Sequence, residues 1–548
     1  MRRGWWFVVG AGLAAQTHIE QLHVMAPMRD GVRLSANVYR PAAPARAPVL
    51  LMRTPYSKPE LNPGLRAFVD HGYAVVVQDV RGRYASEGVF HPFVQEQNDG
   101  EDTLNWLVRQ PWCDGRIGMF GNSYAGITQW RAALTGHAAL KAIAPGVSGN
   151  DEFLDRYYSP GGAYRIGQRL LWIAENLRPP SFPFPQFEHL VEVMPLRAAD
   201  RAATGRAIDF YQESLDHPFN DDYWRSRSTR LRLDHVQAAV LIESGWYDPF
   251  AESDLESFRL LRRRNHPVRM VIGAWGHNML TPMPNENFGV DSRPPMRTYE
   301  IEWFDTHVKG LGPATHSAPL QVYVMGENRW REASVWPPPA VPMTLYLESD
   351  GKLQHKSGLK ARTVELRSDP RSPVPSRGGA LCCNFTHQPW GPVDQRQLDG
   401  RNDILRFATE PLKKPLRVMG EVFVQLTVAS DAPDTDFTAK LIDVAPDGVA
   451  RLVTDGILRL RYRAGIDHAA AYRPGEVITV QVSAGTTAHA FLAGHRIRVD
   501  IAGSNFPRFD RNPNTGRPIA DENNPRVAHD TIHLGGKRAS RVVLPEAP

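Results

Sequence analysis

A serine set among small residues is the first candidate for chemistry. The string Gly118-Met119-Phe120-Gly121-Asn122-Ser123-Tyr124-Ala125-Gly126 follows an apolar run, Ile117 to Phe120, and precedes a helical pattern, Tyr124 to Leu134. Gly121 and a small residue after Tyr124 let the chain turn sharply. The serine is then raised at the strand's carboxyl end, where helix N–H groups favour developing negative charge. The spelling departs from G-x-S-x-G, since Ala125 takes the second glycine's place and Gly126 follows it. A loop serine without chemistry can carry the same string, so its partners must decide.

Serine attacks a carbonyl only if a base takes its proton. In a fold that alternates strands and helices, the partners follow in the order Ser, Asp, His. Ala239 to Ser244 reads as a strand and leads to Asp248; Arg269 to Gly273 does the same and leads to His277. Open parallel sheets place ligands at that edge. Three side chains in the right order at one edge are far more specific than any one of them. Glu252 and Asp254 fall on the next helical stretch. His266 precedes a strand, at the wrong edge, and His307 lies on a helix. Acyl transfer also needs oxyanion donors. The Tyr124 N–H is one. The loop after Val49 to Met52 offers the Tyr56 phenol, which either donates or merely packs.

The elements that must position these residues can be read from periodicity. Residues 22–145 alternate short apolar runs (Val49 to Met52, Ala74 to Gln78, Ile117 to Phe120, Leu140 to Ala144) with helical patterns such as Asp99 to Arg109. That predicts a largely parallel sheet covered by helices. From 150 to 235 aromatics, prolines and helical patterns take over, as in Tyr164 to Asn176 and Pro179 to Phe187, which predicts a helical cap. Met296 to Val308 reads as a closing helix and Gly310 to Ala318 as a linker. Beyond Trp336-Pro337-Pro338-Pro339, period-2 alternation dominates (Met343 to Leu347, Val422 to Val428, Thr438 to Val444, Ile457 to Tyr462, Val477 to Val482, Arg496 to Ile501). That argues an antiparallel β-sandwich. The expected division is 1–20 as an extension or short signal peptide, 21–149 and 236–318 as two parts of one α/β domain, 150–235 as the cap and 319–548 as the sandwich.

Composition narrows the alternatives. A net charge of +5 is mild for 548 residues, and the arginines are scattered, so no nucleic-acid track is expected. Three cysteines, Cys113 and the adjacent pair Cys382-Cys383, imply neither a disulfide framework nor a Cys-based metal site. No stretch is long enough to span a bilayer. Arg2-Arg3 before Gly4 to Ala15 leaves export open.

The same residues carry a resemblance. Pro27-Met28-Arg29-Asp30-Gly31-Val32-Arg33-Leu34, Thr54-Pro55-Tyr56, the stretch Asp79 to Gly88, Trp112 to Gly118, the Ser123 string, Trp246-Tyr247-Asp248 and Trp275-Gly276-His277 make the chain similar to the cocaine-esterase-like hydrolases. That family is related to X-prolyl dipeptidyl peptidases and α-amino-acid ester hydrolases. The resemblance runs from about Val24 to the C-terminus. It implies an α/β-hydrolase domain, a helical cap and a C-terminal jelly roll. It implies a triad of Ser123, Asp248 and His277 with Tyr56 and the Tyr124 N–H as oxyanion donors, and no metal or organic cofactor. It places Phe250 and Trp172 in an acyl pocket, with Trp172 as a cap-core residue the alternative. Asp79, Arg81 and Ser86 read as a scaffold under the active edge. Relatives acting on α-amino esters hold the ammonium with carboxylates. Here Pro249-Phe250-Ala251 supply none, although Glu252 remains. The expected activity is hydrolysis of a small-molecule ester, with an amide-directed acylase or X-Pro peptidase as rival and an inert binding protein as second rival. A homodimer is plausible for such a chain.

Overall fold

A computed structural model describes residues 18–283, 285–312, 318–382, 384 and 386–548. The N-terminal run Gly4 to Ala15 and Cys383 lie outside them.

Ten strands form one sheet: β1 (His18–Pro27), β2 (Arg33–Pro41), β3 (Ala47–Thr54), β4 (Ala74–Asp79), β5 (Cys113–Asn122), β6 (Leu140–Gly146), β7 (Ala239–Tyr247), β8 (Val268–Gly276), β9 (Leu320–Val324) and β10 (Arg329–Ala333), in the order 1-2-4-3-5-6-7-8-9-10. From β4 to β9 neighbours run parallel, while β1, β2 and β10 add antiparallel edges. The central strands read as unbroken apolar runs because both faces are covered. Every residue of β4, β7 and β8 is buried. Alternate residues of each strand serve opposite layers. Leu51, Met119 and Ile242 meet Leu104, Trp130 and Phe258 on one face. Leu50, Phe120 and Leu241 meet Phe68 and Phe304 on the other.

The sheet extends further than periodicity suggested. β9 and β10 follow position 319, yet β9 pairs in parallel with β8 and not with the sandwich. A five-residue apolar strand carries no mark of which sheet it will join.

Between β6 and β7 the described elements are helical, among them Ile166–Leu177, Ala199–Thr204 and Asp209–Asp216. Pro179 to Phe187 is a correction: four prolines leave that stretch extended and turned, and the helix there is Phe187–Val191. This segment has its own core of Phe153, Tyr157, Tyr164, Leu170, Tyr211 and Trp224.

The remainder is all-β, with two antiparallel sheets enclosing a core that includes Val424, Phe437, Leu441, Val482 and Ile501. It grips both other parts. Met325 exchanges backbone hydrogen bonds with Ala488 and Ala490 (3.0 and 2.8 Å). Buried Arg459 pairs with Asp436 and Asp510, and Asp510 accepts the Tyr164 N–H at 2.7 Å. The Gly167 N–H, at the start of helix Ile166–Leu177, bonds to Pro507 O at 2.9 Å. The all-β part therefore fixes the helix that overhangs the carboxyl edge of the sheet. Among the described residues, no helix is long and apolar enough to cross a membrane, and no group of three or more His, Cys, Asp or Glu is placed to hold a metal ion.

Candidate active site

Ser123 stands between β5 and the helix Tyr124–Ala133 with φ 58° and ψ −123°. A non-glycine residue there costs about 1–3 kcal/mol and must be held by its surroundings. The holding bonds are Ser123 N–H to Gly146 O at 2.8 Å and the Gly126 and Ile127 N–H groups onto Ser123 O. The unusual spelling has a steric reason. A Cβ on Gly126 would lie 2.5 Å from the Ser148 Cβ, so glycine is required at 126. At 125 the alanine methyl fits against Gly121, where a Cβ would approach it to 2.9 Å and where φ is +124°.

His277 follows β8 directly. Its Nε2 lies 2.9 Å from Ser123 Oγ and its Nδ1 lies 2.6 Å from Asp248 Oδ2. The Asp248 carboxylate is fully buried. Its Oδ1 accepts the Phe250 N–H at 2.8 Å, so both oxygens are used. The other candidates are engaged elsewhere. Asp254 accepts from Ser244 Oγ and the Gly149 N–H, and burial, reinforced by the Asp248 charge, drives its pKa well above the usual carboxylate range. His266 bonds to Ala238 O, and His307 packs on Trp303. Glu252 lines a separate cavity of about 500 Å³ behind Pro249.

Tyr56 follows β3. Lys58, two residues on, is buried and tied to Asp79 by its backbone N–H and its ammonium, both at 2.7 Å. Ser86 Oγ donates to Asp79 O, and Arg81 bridges Asp99 and Asp30. These bonds form the expected scaffold under the loop. Tyr56 is 39% exposed as a residue, yet desolvation still raises its phenol above the ordinary range. Tyr56 and Ser123 line the same cavity. The Trp172 indole N–H donates to the Tyr56 oxygen at 3.0 Å. The phenol proton is thereby left to point elsewhere. The Tyr124 side chain is anchored below, donating to Glu96 at 2.8 Å and accepting the Phe93 N–H at 2.9 Å. Arg53 pairs with the same Glu96 at 2.9 Å.

These groups line a cavity of about 520 Å³. Phe250 sits in its wall with its ring edge-on to His277, centroids 5.4 Å apart. Trp172 lines it too, and packs against the helical core as well. An arrangement of this kind can deprotonate a hydroxyl, attack an acyl carbon and steady the resulting oxyanion.

Three relatives of high similarity bear on the arrangement. Cocaine esterase from Rhodococcus sp. (strain MB1 Bresler) is 39% identical over 95% of this chain and 98% of its own length. The chain belongs to the cocaine-esterase-like serine hydrolases. This cocaine-esterase-like chain also matches the X-Pro dipeptidyl-peptidase (S15 family) model over residues 30–279 and that family's C-terminal non-catalytic domain over 313–543. An α-amino acid ester hydrolase superposes with a TM-score of 0.86 at 27% identity, covering 99% of this chain and 98% of that one. An aminopeptidase from the marine sediment archaeon Thaumarchaeota archaeon gives 0.86 at 27%, covering 97% of each.

Sequence reasoning missed several residues of the cocaine-esterase-like site. Phe93 stacks on Tyr124 with centroids 4.8 Å apart. Arg156 and Arg169 line the cavity. The spacing of Arg169, Trp172 and Asn176 on one helical face was the available signal. Cys382 also lines the cavity and is disulfide-bonded. A count of three cysteines excludes a framework, not a single bond. Cys113 is a free, buried thiol.

Proposed function

We propose that this chain hydrolyses carboxylic esters through an acyl-enzyme on Ser123. The observation that carries the reading is the unbroken run of contacts from Ser123 Oγ through His277 to Asp248. His277 takes the Ser123 proton as Oγ attacks the ester carbonyl, and passes it to the leaving alcohol. Water activated by the same imidazole then releases the acid. Asp248 fixes the tautomer and stabilises the imidazolium. The Tyr124 N–H and the Tyr56 O–H donate to the oxyanion, and Phe250 flanks the acyl group.

Tyr56→Phe is expected to lower kcat by roughly 10²–10³-fold, the scale for losing one oxyanion donor. Unchanged ester kinetics would remove Tyr56 from the machinery. Trp172→Phe keeps a ring but deletes the N–H that orients the phenol. One hydrogen bond of this kind is worth about 1 kcal/mol, so kcat should fall roughly 3- to 10-fold. In the Tyr56→Phe background the same change should cost little, because the shared partner is already gone. Full additivity in that cycle would mean Trp172 acts only by lining the pocket.

Esters are favoured over free N-terminal peptides by the cavity's charge. A peptidase acting on a free N-terminus needs carboxylates for the ammonium. Glu252 faces the other cavity, Glu175 is the one Asp or Glu among the described residues of this lining, and two guanidiniums share it. Steady-state rates on p-nitrophenyl esters should exceed those on acyl p-nitroanilides and Gly-Pro-p-nitroanilide of matched shape. Faster release from Gly-Pro-p-nitroanilide would give the site to peptide chemistry.

A further inference from the structure

Arg169 is 3% exposed, yet it has no ion-pair partner among the described residues. Its Nη2 donates to Arg156 O at 3.2 Å, and its Nε has no partner. Its guanidinium lies over the rings of Tyr157 and Trp172, 4.5 and 5.6 Å from their centroids. Arg156 is 2% exposed and spends one donor on Ser148 O at 2.7 Å. Its carboxylate neighbour Asp155 is distant for a pair, at 3.9 Å, and burial pushes that acid up to about 6. The Arg156 guanidinium lies over Phe93 and Phe250, at 5.0 and 5.5 Å, the two rings that flank Tyr124 and His277. Both arginines line the cavity that holds Ser123 and His277. Glu175 is the opposing charge in that lining. Burial raises its pKa, which disfavours its negative form.

A buried guanidinium without a carboxylate is costly, and an anion delivered to it recovers that cost. Planar, always-charged arginine is the side chain suited to a carboxylate. We propose that the substrate carries a carboxylate, which Arg169, aided by Arg156, holds in the cavity beside Ser123. The inference rests on the ester-hydrolase reading and names its substrate class: an ester with a negative charge on the acid part or on the alcohol part. Cationic esters meet two guanidiniums and are disfavoured.

The test compares charged esters with neutral isosteres on the full chain. For the acid part the pair is mono-p-nitrophenyl glutarate and p-nitrophenyl pentanoate. For the alcohol part it is m-acetoxybenzoate and methyl m-acetoxybenzoate. At least one charged member should show kcat/KM roughly 10- to 100-fold above its neutral partner, the worth of a charged hydrogen-bonded pair. High salt should shrink the ratio. Arg169→Gln should abolish the preference, whatever it does to both rates, and Arg169→Lys should restore part of it. A wild type that prefers both neutral esters overturns the inference and leaves the ester reading standing. So does a preference that survives Arg169→Gln. The wild-type comparison decides alone if the variant does not fold. A chain that turns over none of the four esters overturns the ester reading and this inference together.

Discussion

Ser123→Ala is expected to reduce ester turnover by roughly 10⁴- to 10⁶-fold while leaving the fold intact. The size of the loss follows from the unity of the triad: removing the nucleophile costs about as much as removing the whole set. The mildness for stability follows from local packing. The Ser123 hydroxyl is bonded to His277 Nε2, while its backbone bonds to Gly146, Gly126 and Ile127 do not involve the side chain. Alanine inherits the same positive φ, so the strain at the turn is unchanged. Circular dichroism and thermal unfolding should match wild type within the effect of one partly exposed hydrogen bond, about 1 kcal/mol. A variant retaining near-native esterase rate would remove Ser123 from the chemistry.

Asp248→Asn should cost about 10⁴-fold in kcat through the tautomer of His277. In the wild type, Oδ2 faces His277 Nδ1 and Oδ1 accepts the Phe250 N–H. Both neighbours ask for an acceptor. An asparagine offers one carbonyl and one NH₂, so one neighbour meets a donor. With the carbonyl kept on Phe250, the NH₂ faces Nδ1 and drives the ring proton to Nε2. The imidazole then presents a proton to Ser123 and cannot act as its base. The rate should fall chiefly in kcat. A loss confined to KM would place Asp248 in substrate binding instead.

The legible part of this molecule was the part governed by strand ends. Asp248 and His277 each sit just past a fully buried strand, and Ser123 follows a strand whose residues 117–121 are buried; such apolar runs are conspicuous in any sequence. The sheet that the short strands β9 and β10 join was not legible, because five residues fix a conformation, not a partner. The extended stretch from Pro179 was mistaken for helix, although proline removes the donors that a helix needs. The sequence after Asp248 left Glu252 open as an acid near the site, because which cavity Glu252 faces depends on how helix Ala251–Arg263 packs. The bond from Trp172 to Tyr56 spans 116 residues. It joins a loop of the sheet to a helix held by the all-β part, and no local pattern encodes it. Arg169 escaped for a related reason. An arginine on an amphipathic helix normally marks the solvent face, and here that face is turned into a cavity.

The most direct measurement is intact and peptide mass spectrometry after treatment with a fluorophosphonate. One stoichiometric phosphonyl adduct is expected, localised to the peptide bearing Ser123 and absent from Ser123→Ala. An adduct on another serine, or an unmodified but folded protein, would contradict it.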